Sequence, residues 1–301
     1  MTLGVKRWVH FIFKMNLNKI LCIVKKTELE KYKINPKTIL PAGIKKWLTL
    51  SHNNHSKFLK KFKQIALKHE LPITYITTNQ VEKTKSNFDL VITVGGDGAF
   101  LLATKYFKSI PLLGFNSNSH KDPKQGSIGA LTSGNVTNLE ARLKALKKGK
   151  FSIKLLSSLR IRINEKWIQV PTINELYLGN NKPYKSSDLT IIYNKKEERF
   201  NCSGILASTY TGSTAWYKNA GGKKFKPNNF AFLIREPNRD RQPSFNQSTL
   251  TSKEFLTIYP NSPGHIISLD SKDKIIPLKT FDKVQISLSE KNKIRVIQFK
   301  D

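Results

Sequence analysis

The pattern of apolar and polar positions divides the chain into two parts that differ in periodicity. In the first part, short apolar runs that predict buried strands alternate with segments of helical, three-to-four periodicity. Strands that alternate with helices are typical of a parallel sheet with helices on its faces. The predicted strands are 19–24, 71–77, 89–94 and 111–115, and the predicted helices are 56–70, 100–107 and 138–148.

The second part, after residue 150, consists of short runs in which apolar and polar residues alternate. The runs are separated by Asn, Gly, Ser, Pro or Asp, which favour turns. We therefore predict an N-terminal open parallel-sheet α/β domain followed by a C-terminal β-rich, sandwich-like domain. The expected boundaries are a loose extension over residues 1–15, the α/β domain over 16–150 and the β-rich domain over 151–301.

Composition excludes several classes of protein. Of the 301 residues, 39% are hydrophobic, which is enough for sizeable cores and too much for a disordered basic tail. No apolar run approaches the roughly 18 residues of a membrane helix, so we expect no membrane partner. Cys22 and Cys202 lie far apart, which excludes a disulfide framework and a cysteine zinc site. We expect a soluble, cytoplasmic protein, or a mitochondrial-matrix protein if the source is eukaryotic.

The chain is strongly basic, with 52 Lys and Arg against 21 Asp and Glu, a formal charge of +31. Most of the basic residues are lysines, and they are spread over the whole length. Specific readers of nucleic acid more often concentrate arginine and aromatic residues on one face. The charge therefore predicts attraction of anionic ligands, such as nucleotides or polyphosphate, and no specific nucleic-acid partner.

The segment whose residues best indicate a ligand-binding site is 90–98, Leu-Val-Ile-Thr-Val-Gly-Gly-Asp-Gly. Gly95, Gly96 and Gly98 surround one carboxylate between a buried strand and a helix, where backbone N–H groups can approach phosphates. Asp97 then lies at the carboxyl end of a parallel strand, where ligands bind in open α/β sheets. The residue types are also compatible with an ordinary strand-to-helix turn in which Asp97 caps the helix.

No set of residues has the spacing of a metal site. His52 and His55 form one pair, and His120 with Asp122 forms another, but neither pair has a third ligand. We therefore assign no residue of the chain as a metal ligand.

The glycine turn resembles the Gly-Gly-Asp-Gly motif shared by NAD kinases, diacylglycerol-type lipid kinases and phosphofructokinases. Residues 204–216, followed by Ala-Gly-Gly at 220–222, are similar to the signature segment of the NAD kinases, and Thr-Ile-Asn-Glu at 172–175 is similar to that family's asparagine–glutamate pair. The order and separation of the motifs match, so the chain resembles the NAD kinase family. Residues 24–27 and 235–237 are most similar to its mitochondrial-type branch, which also has bacterial members.

This resemblance implies an enzyme that transfers the terminal phosphoryl group of ATP, or of polyphosphate, to the 2′-hydroxyl of the adenosine ribose of NAD. The product is NADP, and Mg²⁺ or another divalent cation is required. By resemblance Asp97 is the catalytic base, and the three glycines form the turn that faces the phosphates. The family also implies a homodimer or homotetramer.

The resemblance further implies which residues bind the substrates. Glu175 would accept hydrogen bonds from ribose hydroxyls, and Asn174 would contact adenine or ribose. Trp216 would offer a flat surface to a ring, and Asn219 would bond the nicotinamide carboxamide. The implied binding residues are Gly95, Gly96, Gly98, Asn116, Asn174, Glu175, Ser203, Thr211, Gly212, Ser213, Thr214, Ala215, Trp216 and Asn219.

Several positions depart from the pattern of the family. Ala99 stands where a threonine is common, Ser203 where many members have an aspartate, and Ala130-Leu131 where bulkier residues are typical. Residues 119–125 resemble an insertion. Two other functions remain open at this point: a lipid kinase that shares the glycine turn, and a basic nucleotide- or nucleic-acid-binding protein that has lost catalysis.

Overall fold

The structure is a computed structural model that describes residues 15–32, 39–85, 87–119, 126–241, 243–271, 275–289 and 293–300. Of the predicted N-terminal extension, residues 1–14 lie outside the described residues. The chain divides into two compact units: one runs to Leu155 and includes the chain from Ile294 onward, and the other spans Leu156–Lys293. Within the described residues, no helix is long and apolar enough to cross a membrane.

The first unit contains a sheet with the strand order β2-β1-β3-β4-β18-β5. Strands β1, β2, β3, β4 and β18 pair in parallel wherever their register is resolved. The predicted α/β architecture is thereby confirmed. The strands are β1 (Ile20–Val24), β2 (Ile73–Thr77), β3 (Leu90–Gly95), β4 (Leu112–Asn116), β5 (Ser152–Leu156) and β18 (Ile294–Gln298).

The helices of the first unit are α1 (Glu28–Tyr32), α2 (Ala42–Lys68), α3 (Asp97–Tyr106) and α4 (Leu139–Lys147). Helix α2 packs Phe58 and Phe62 against Phe115 of β4. It begins at Ala42, well before the predicted start. The prediction missed the first turns because Ile44 and Trp47 there are about half exposed. These two residues do not extend the buried apolar stripe from which we predicted the helix.

The last strand corrects the predicted domain boundary. We predicted residues 294–301 as part of the β-rich domain, whereas β18 lies beside β4 in the first sheet. Its Ile297 is buried in the core of the α/β unit. A short apolar run fits an inner strand of either unit, so the choice depends on the pairing partner, which the local pattern does not identify.

The second unit is a sandwich of two antiparallel sheets, with strand orders β10-β9-β14-β17-β6-β7 and β13-β12-β11-β8-β15-β16. Apolar side chains from both sheets form one core, including Ile191 and Ile286 from the first and Leu178 and Phe232 from the second. The predicted β-rich architecture is confirmed. The strands are β6 (Leu159–Ile163), β7 (Lys166–Trp167), β8 (Glu175–Asn180), β9 (Ser187–Tyr193), β10 (Lys196–Cys202), β11 (Ile205–Thr209), β12 (Asn229–Ile234), β13 (Gln247–Thr251), β14 (Leu256–Pro260), β15 (His265–Leu269), β16 (Ile275–Pro277) and β17 (Val284–Leu288).

Candidate active site

The glycine turn of the first unit connects β3 to α3. Strand β3 is buried along its whole length, and Gly96 precedes the first helical residue, Asp97. The turn therefore combines the carboxyl end of a parallel strand with the N-terminus of a ten-residue helix. Both features favour bound anions, because backbone N–H groups and the helix dipole point toward the ligand.

Asp97 is half-buried, and its carboxylate is already engaged by the chain. Its oxygens accept hydrogen bonds from the backbone N–H groups of Ala130, at 3.0 Å, and Leu131, at 2.8 Å. A carboxylate offers about four lone-pair positions, so acceptor capacity remains for a substrate hydroxyl or a metal ion. The structure thus adds a role that sequence reasoning missed: Asp97 also holds the loop that contains Ala130 and Leu131.

The first two glycines of the turn are needed for space. A Cβ on Gly95 would lie 2.9 Å from Cβ of Lys25, and a Cβ on Gly96 would lie 2.6 Å from Oγ of Ser127. Both distances are shorter than real Cβ contacts allow. The ammonium-bearing side chain of Lys25 and the hydroxyl-bearing side chain of Ser127 therefore flank the turn. Neither residue was identified in the sequence analysis. Gly98, the third glycine, is exposed.

Asn116 ends β4 directly beside Gly95. Its side chain is 2% exposed and donates a hydrogen bond to the carbonyl of Ser127 at 2.7 Å, while its oxygen accepts one from the N–H of Asn118 at 3.1 Å. These bonds make Asn116 a support for the loop that contains Ser127. The segment 120–125, which includes most of the predicted insertion and the His120–Asp122 pair, lies outside the described residues.

The histidines of α2 are engaged in hydrogen bonds. His52 Nδ1 lies 3.0 Å from the hydroxyl of Thr27, and His55 Nδ1 lies 2.7 Å from the hydroxyl of Ser117. Burial, and then the charge of Lys25, lower the pKa of His55 to about 4. The part of the chain that the structure describes contains no group of three or more His, Cys, Asp or Glu residues that could hold a metal ion.

In the second unit, the structure brings together the two segments that carry the resemblance. Strands β8 and β11 pair so that Glu175 lies opposite Ser208. The carbonyl of Asn174 accepts hydrogen bonds from the N–H of Thr209, at 3.0 Å, and the hydroxyl of Ser208, at 3.2 Å. Gly212 packs directly on the backbone of Asn174. The end of β11 and the start of β8 therefore form one local structure.

Asp270 is a residue of this structure that sequence reasoning missed. It follows β15, is 2% exposed, and accepts hydrogen bonds from the N–H groups of Ile173, at 3.0 Å, and Asn174, at 2.7 Å. A carboxylate that receives two consecutive backbone N–H groups fixes the chain direction where β8 begins. Asp270 thereby orients Asn174 and Glu175. The only sequence signal is an acidic residue directly after an apolar run.

We expect Asp270→Asn to destabilise the protein by about 2 kcal/mol, because the amide lacks the charge that strengthens these bonds and replaces Oδ2, which accepts from Ile173 at 3.2 Å, with an NH₂ donor. Asn tolerates the left-handed backbone at this position, φ +52°, so the change tests the carboxylate and not the turn. Urea unfolding measures the loss. Asp282→Asn is the matched control, because the partly buried Asp282 accepts one backbone N–H bond, from Lys279 at 2.7 Å, and one bond from the side-chain amide of Asn164 at 2.6 Å. Equal stability losses in the two variants would contradict the assignment.

Glu175 has a strongly perturbed carboxyl group. It is 3% exposed, and the hydroxyl of Ser271 donates to its Oε1 at 3.1 Å. Its Oε2 is buried and has no hydrogen-bond partner among the described residues. Burial, and then the neighbouring Asp270, raise the pKa of Glu175 to about 7. A buried acceptor without a donor is costly, and a ribose hydroxyl is a donor that would relieve the cost.

This pKa predicts a pH-dependent stability. The ordinary pKa of a glutamate here is 4.5, so between pH 4.5 and about 7 the folded state binds the Glu175 proton more tightly than the unfolded state. The stability contributed by this group is therefore present at pH 4.5 and is lost as the pH rises through 7, by as much as about 3 kcal/mol. Urea unfolding across this range should show the decline in the wild type. Glu175→Gln should remove it, and Glu197→Gln, which changes an exposed glutamate, should retain it. Parallel declines in wild type and Glu175→Gln would contradict the prediction.

Trp216 is held in an aromatic and cationic cluster. Its ring stacks on Tyr177 with 5.4 Å between centroids, and the guanidinium carbon of Arg235 lies 5.3 Å from the Trp216 centroid. The hydroxyl of Tyr177 donates to the carbonyl of Ser203 at 2.9 Å. Glu236 completes the cluster: a hydrogen bond from Ser203 and the charge of Arg235 lower the pKa of its carboxyl. The neighbours of Trp216 come from three separate strands or their ends. A pattern of residues close together in the sequence could therefore not predict this cluster.

The remaining predicted binding residues differ in exposure. Thr214 and Asn219 are exposed, whereas Thr211, Ser213 and Ala215 are partly buried. Ser213 uses its hydroxyl to bond the carbonyl of Tyr210 at 2.7 Å. Residues 212–214 form a 3₁₀ turn, and helix α5 (Trp216–Asn219) follows. The exposed side chains are accessible to a ligand without rearrangement.

The chain combines a parallel α/β unit, whose strand end carries a Gly-Gly-Asp-Gly turn, with an antiparallel sandwich. Comparison with known proteins shows what this combination is similar to. Residues 20–151 match the family model of the ATP-NAD kinase N-terminal domain. The chain is 33% identical over 159 residues to the NAD kinase of Methanosphaera stadtmanae, covering 52% of this chain and 54% of that protein. The chain is therefore similar to NAD kinases, and the matching family model covers somewhat less than half of its length.

Two solved structures share the fold. A crystal structure of an NAD kinase from Archaeoglobus fulgidus in complex with ATP has a TM-score of 0.63 at 21% identity, covering 93% of each chain. Yeast NADH kinase complexed with NADH has a TM-score of 0.67 at 17% identity, covering 95% of this chain and 84% of that one. At these identities the likeness shows the fold alone. The sequence matches to the first curated relatives span about half of the relatives' length.

Proposed function

We propose that the protein is an NAD kinase that transfers the terminal phosphoryl group of ATP, or of polyphosphate, to the 2′-hydroxyl of the adenosine ribose of NAD. The observation that carries the proposal is the placement of Asp97 as the first residue of α3, directly after a strand-end turn that excludes Cβ atoms at Gly95 and Gly96. This arrangement offers phosphates a donor-rich turn and offers an attacking hydroxyl a carboxylate. The match of residues 20–151 to the ATP-NAD kinase N-terminal domain supports the same function.

Each unit has its own task in this proposal. In the first, the glycine turn binds the donor phosphates, and Asp97 takes the proton of the attacking hydroxyl. In the second, Asn174 and Glu175 bind the dinucleotide, with the unpartnered Oε2 of Glu175 accepting a ribose hydroxyl. The segment from Thr211 to Asn219, with Ser203, completes the dinucleotide site. We assign Asn116 to support of the loop beside the turn.

We further propose that Mg²⁺ accompanies the donor. Mg²⁺ is usually held by one or two carboxylates together with substrate phosphates, and Asp97 retains acceptor capacity at the turn. When bound, the ion would neutralise charge on the transferring phosphoryl group. Assignment to the mitochondrial-type branch, a homodimeric or homotetrameric assembly and a cytoplasmic location remain predictions.

A single assay tests the proposal. NADP or NADPH formation is measured with NAD or NADH as acceptor, each combined with ATP or polyphosphate as donor, with and without Mg²⁺. We expect product with NAD and at least one donor, and dependence on the divalent cation. Phosphorylation of diacylglycerol or a sphingoid base without NADP formation would instead support the lipid kinase. Binding of nucleic acid at moderate salt without consumption of ATP would support the inactive binding protein.

A further inference from the structure

Lys25 lies at the carboxyl-terminal end of the parallel strands, where the glycine turn begins. It follows β1 directly, and its backbone N–H donates to the carbonyl of Val94 at 2.9 Å, so it is bound to the last part of β3. Its side chain runs across the position that a Cβ of Gly95 would occupy, 2.9 Å from its Cβ and 3.5 Å from its Cδ. The aliphatic part of Lys25 therefore packs on the turn itself.

The charge of Lys25 has no counter-ion among the described residues. No described carboxylate forms an ion pair with its ammonium group within 4.0 Å, and the nearby Glu28 is paired with Lys31 at 2.9 Å. Burial lowers the pKa of Lys25, and the charge of Glu28 offsets this only in part. The buried His55 of α2 carries no charge at neutral pH, because its pKa is about 4. The cation beside the turn is therefore poorly compensated, and an anion bound there would stabilise it.

We propose that Lys25 binds the terminal phosphates of the phosphoryl donor at the glycine turn. The proposal deepens the proposed function and rests on it for the identity of the donor. A lysine ammonium is a compact charge with three N–H donors, which suits the phosphate oxygens of both ATP and polyphosphate. It would neutralise charge on the group being transferred. Ser127, on the other side of the turn, places a hydroxyl against Gly96 and offers a second donor.

The test measures donor binding without the acceptor. Isothermal titration of ATP and of inorganic tripolyphosphate compares wild type with Lys25→Met, Lys25→Arg and Lys26→Met. Removal of a charge-assisted hydrogen bond should weaken both ligands by about 10- to 100-fold in Lys25→Met. Lys25→Arg keeps the charge and should stay within about fivefold of wild type. Lys26→Met removes the adjacent charge of a partly buried lysine and should leave both affinities unchanged.

Several results would overturn the proposal. Wild-type affinity for both ligands in Lys25→Met would do so, and so would equal losses in the Lys25→Met and Lys26→Met variants, which would indicate only a general basic field. An effect on ATP alone would place Lys25 against the nucleoside and not the phosphates. NAD affinity should be the same in every variant, because the proposal gives Lys25 no contact with the acceptor.

A measurement on the wild type guards against misfolding of the variants. Limited acetylation with an amine-reactive reagent, read by mass spectrometry, should show Lys25 protected by tripolyphosphate and Lys26 not protected. Equal acetylation of Lys25 with and without tripolyphosphate would contradict the proposal. Protection of Lys25 in a protein that makes no NADP would support this phosphate contact and contradict the proposed function, so the two failures are distinguishable.

Discussion

Asp97→Asn should lower kcat for NADP formation by about 10²- to 10⁴-fold while NAD affinity stays near the wild-type value. The amide cannot accept the proton of the attacking hydroxyl, whereas the residues assigned to NAD lie in the second unit. The change also disturbs the bonds from Ala130 and Leu131, because the amide can accept from only one of these two N–H groups. We therefore expect a loss of about 1–3 kcal/mol in the free energy of unfolding. Steady-state kinetics and urea unfolding measure the two effects separately.

Asp89→Asn provides a matched control for this structural cost. The Asp89 carboxylate accepts hydrogen bonds from two consecutive backbone N–H groups, those of Asn18 and Lys19, both at 2.9 Å. Asp89 directly precedes β3, at the end opposite the turn. Both bonds reach the same oxygen, Oδ2, so Asp89→Asn should lose up to about 1 kcal/mol through the lost charge, and it should keep its turnover. If Asp97→Asn turns over at the wild-type rate, or if Asp89→Asn loses activity to the same degree, Asp97 is not the base.

Among changes in the second unit, Gly212→Ala should have the largest effect on stability and on NAD binding. Gly212 is buried, and an added Cβ would overlap the backbone of Asn174, with even its Cα only 2.6 Å away. Asn174 cannot move aside freely, because Asp270 holds its N–H and Thr209 bonds its carbonyl. We expect a loss of about 4 kcal/mol, above the usual cost of overpacking, and NAD binding about 100-fold weaker. Urea unfolding and NAD titration measure these effects.

Gly43→Ala separates this steric effect from the general consequence of losing a glycine. Gly43 lies in the first turn of α2, and an added Cβ there meets nothing within 4 Å. The same substitution should stabilise the protein by about 0.5–1 kcal/mol, since alanine favours a helix over glycine. A Gly212→Ala protein with wild-type stability and NAD affinity would show that the contact with Asn174 is dispensable.

The comparison of predicted and observed elements shows where local pattern is informative. Strands β1, β3 and β4 were found within one or two residues of their predicted bounds, because a run of buried apolar residues between turn residues leaves few alternatives. Helix α2 was predicted too short, because its first turns present Ile44 and Trp47 to solvent. Periodicity reports the buried face, so it misses helical turns in which few apolar residues are buried.

The candidate site shows a similar division. The sequence predicted Asp97 and its glycines as a phosphate turn, because glycine and carboxylate chemistry at a strand end is visible in one short segment. It did not predict why the glycines are needed, since Lys25 and Ser127 come from other parts of the chain. The roles that we assign to these residues in substrate binding and catalysis remain predictions, and the variants described above test them.

The sequence alone was enough to predict the two-domain plan, the glycine turn and the two segments that resemble the NAD kinases. Each of these features depends on residues that are neighbours in the chain. Folding alone decided that β18 returns to the first sheet and that Asp270 orients Asn174. It also decided that the side chain of Lys25 packs against Gly95. These features join residues far apart in the chain. Their energies depend on burial and on distances that exist only once the chain has packed.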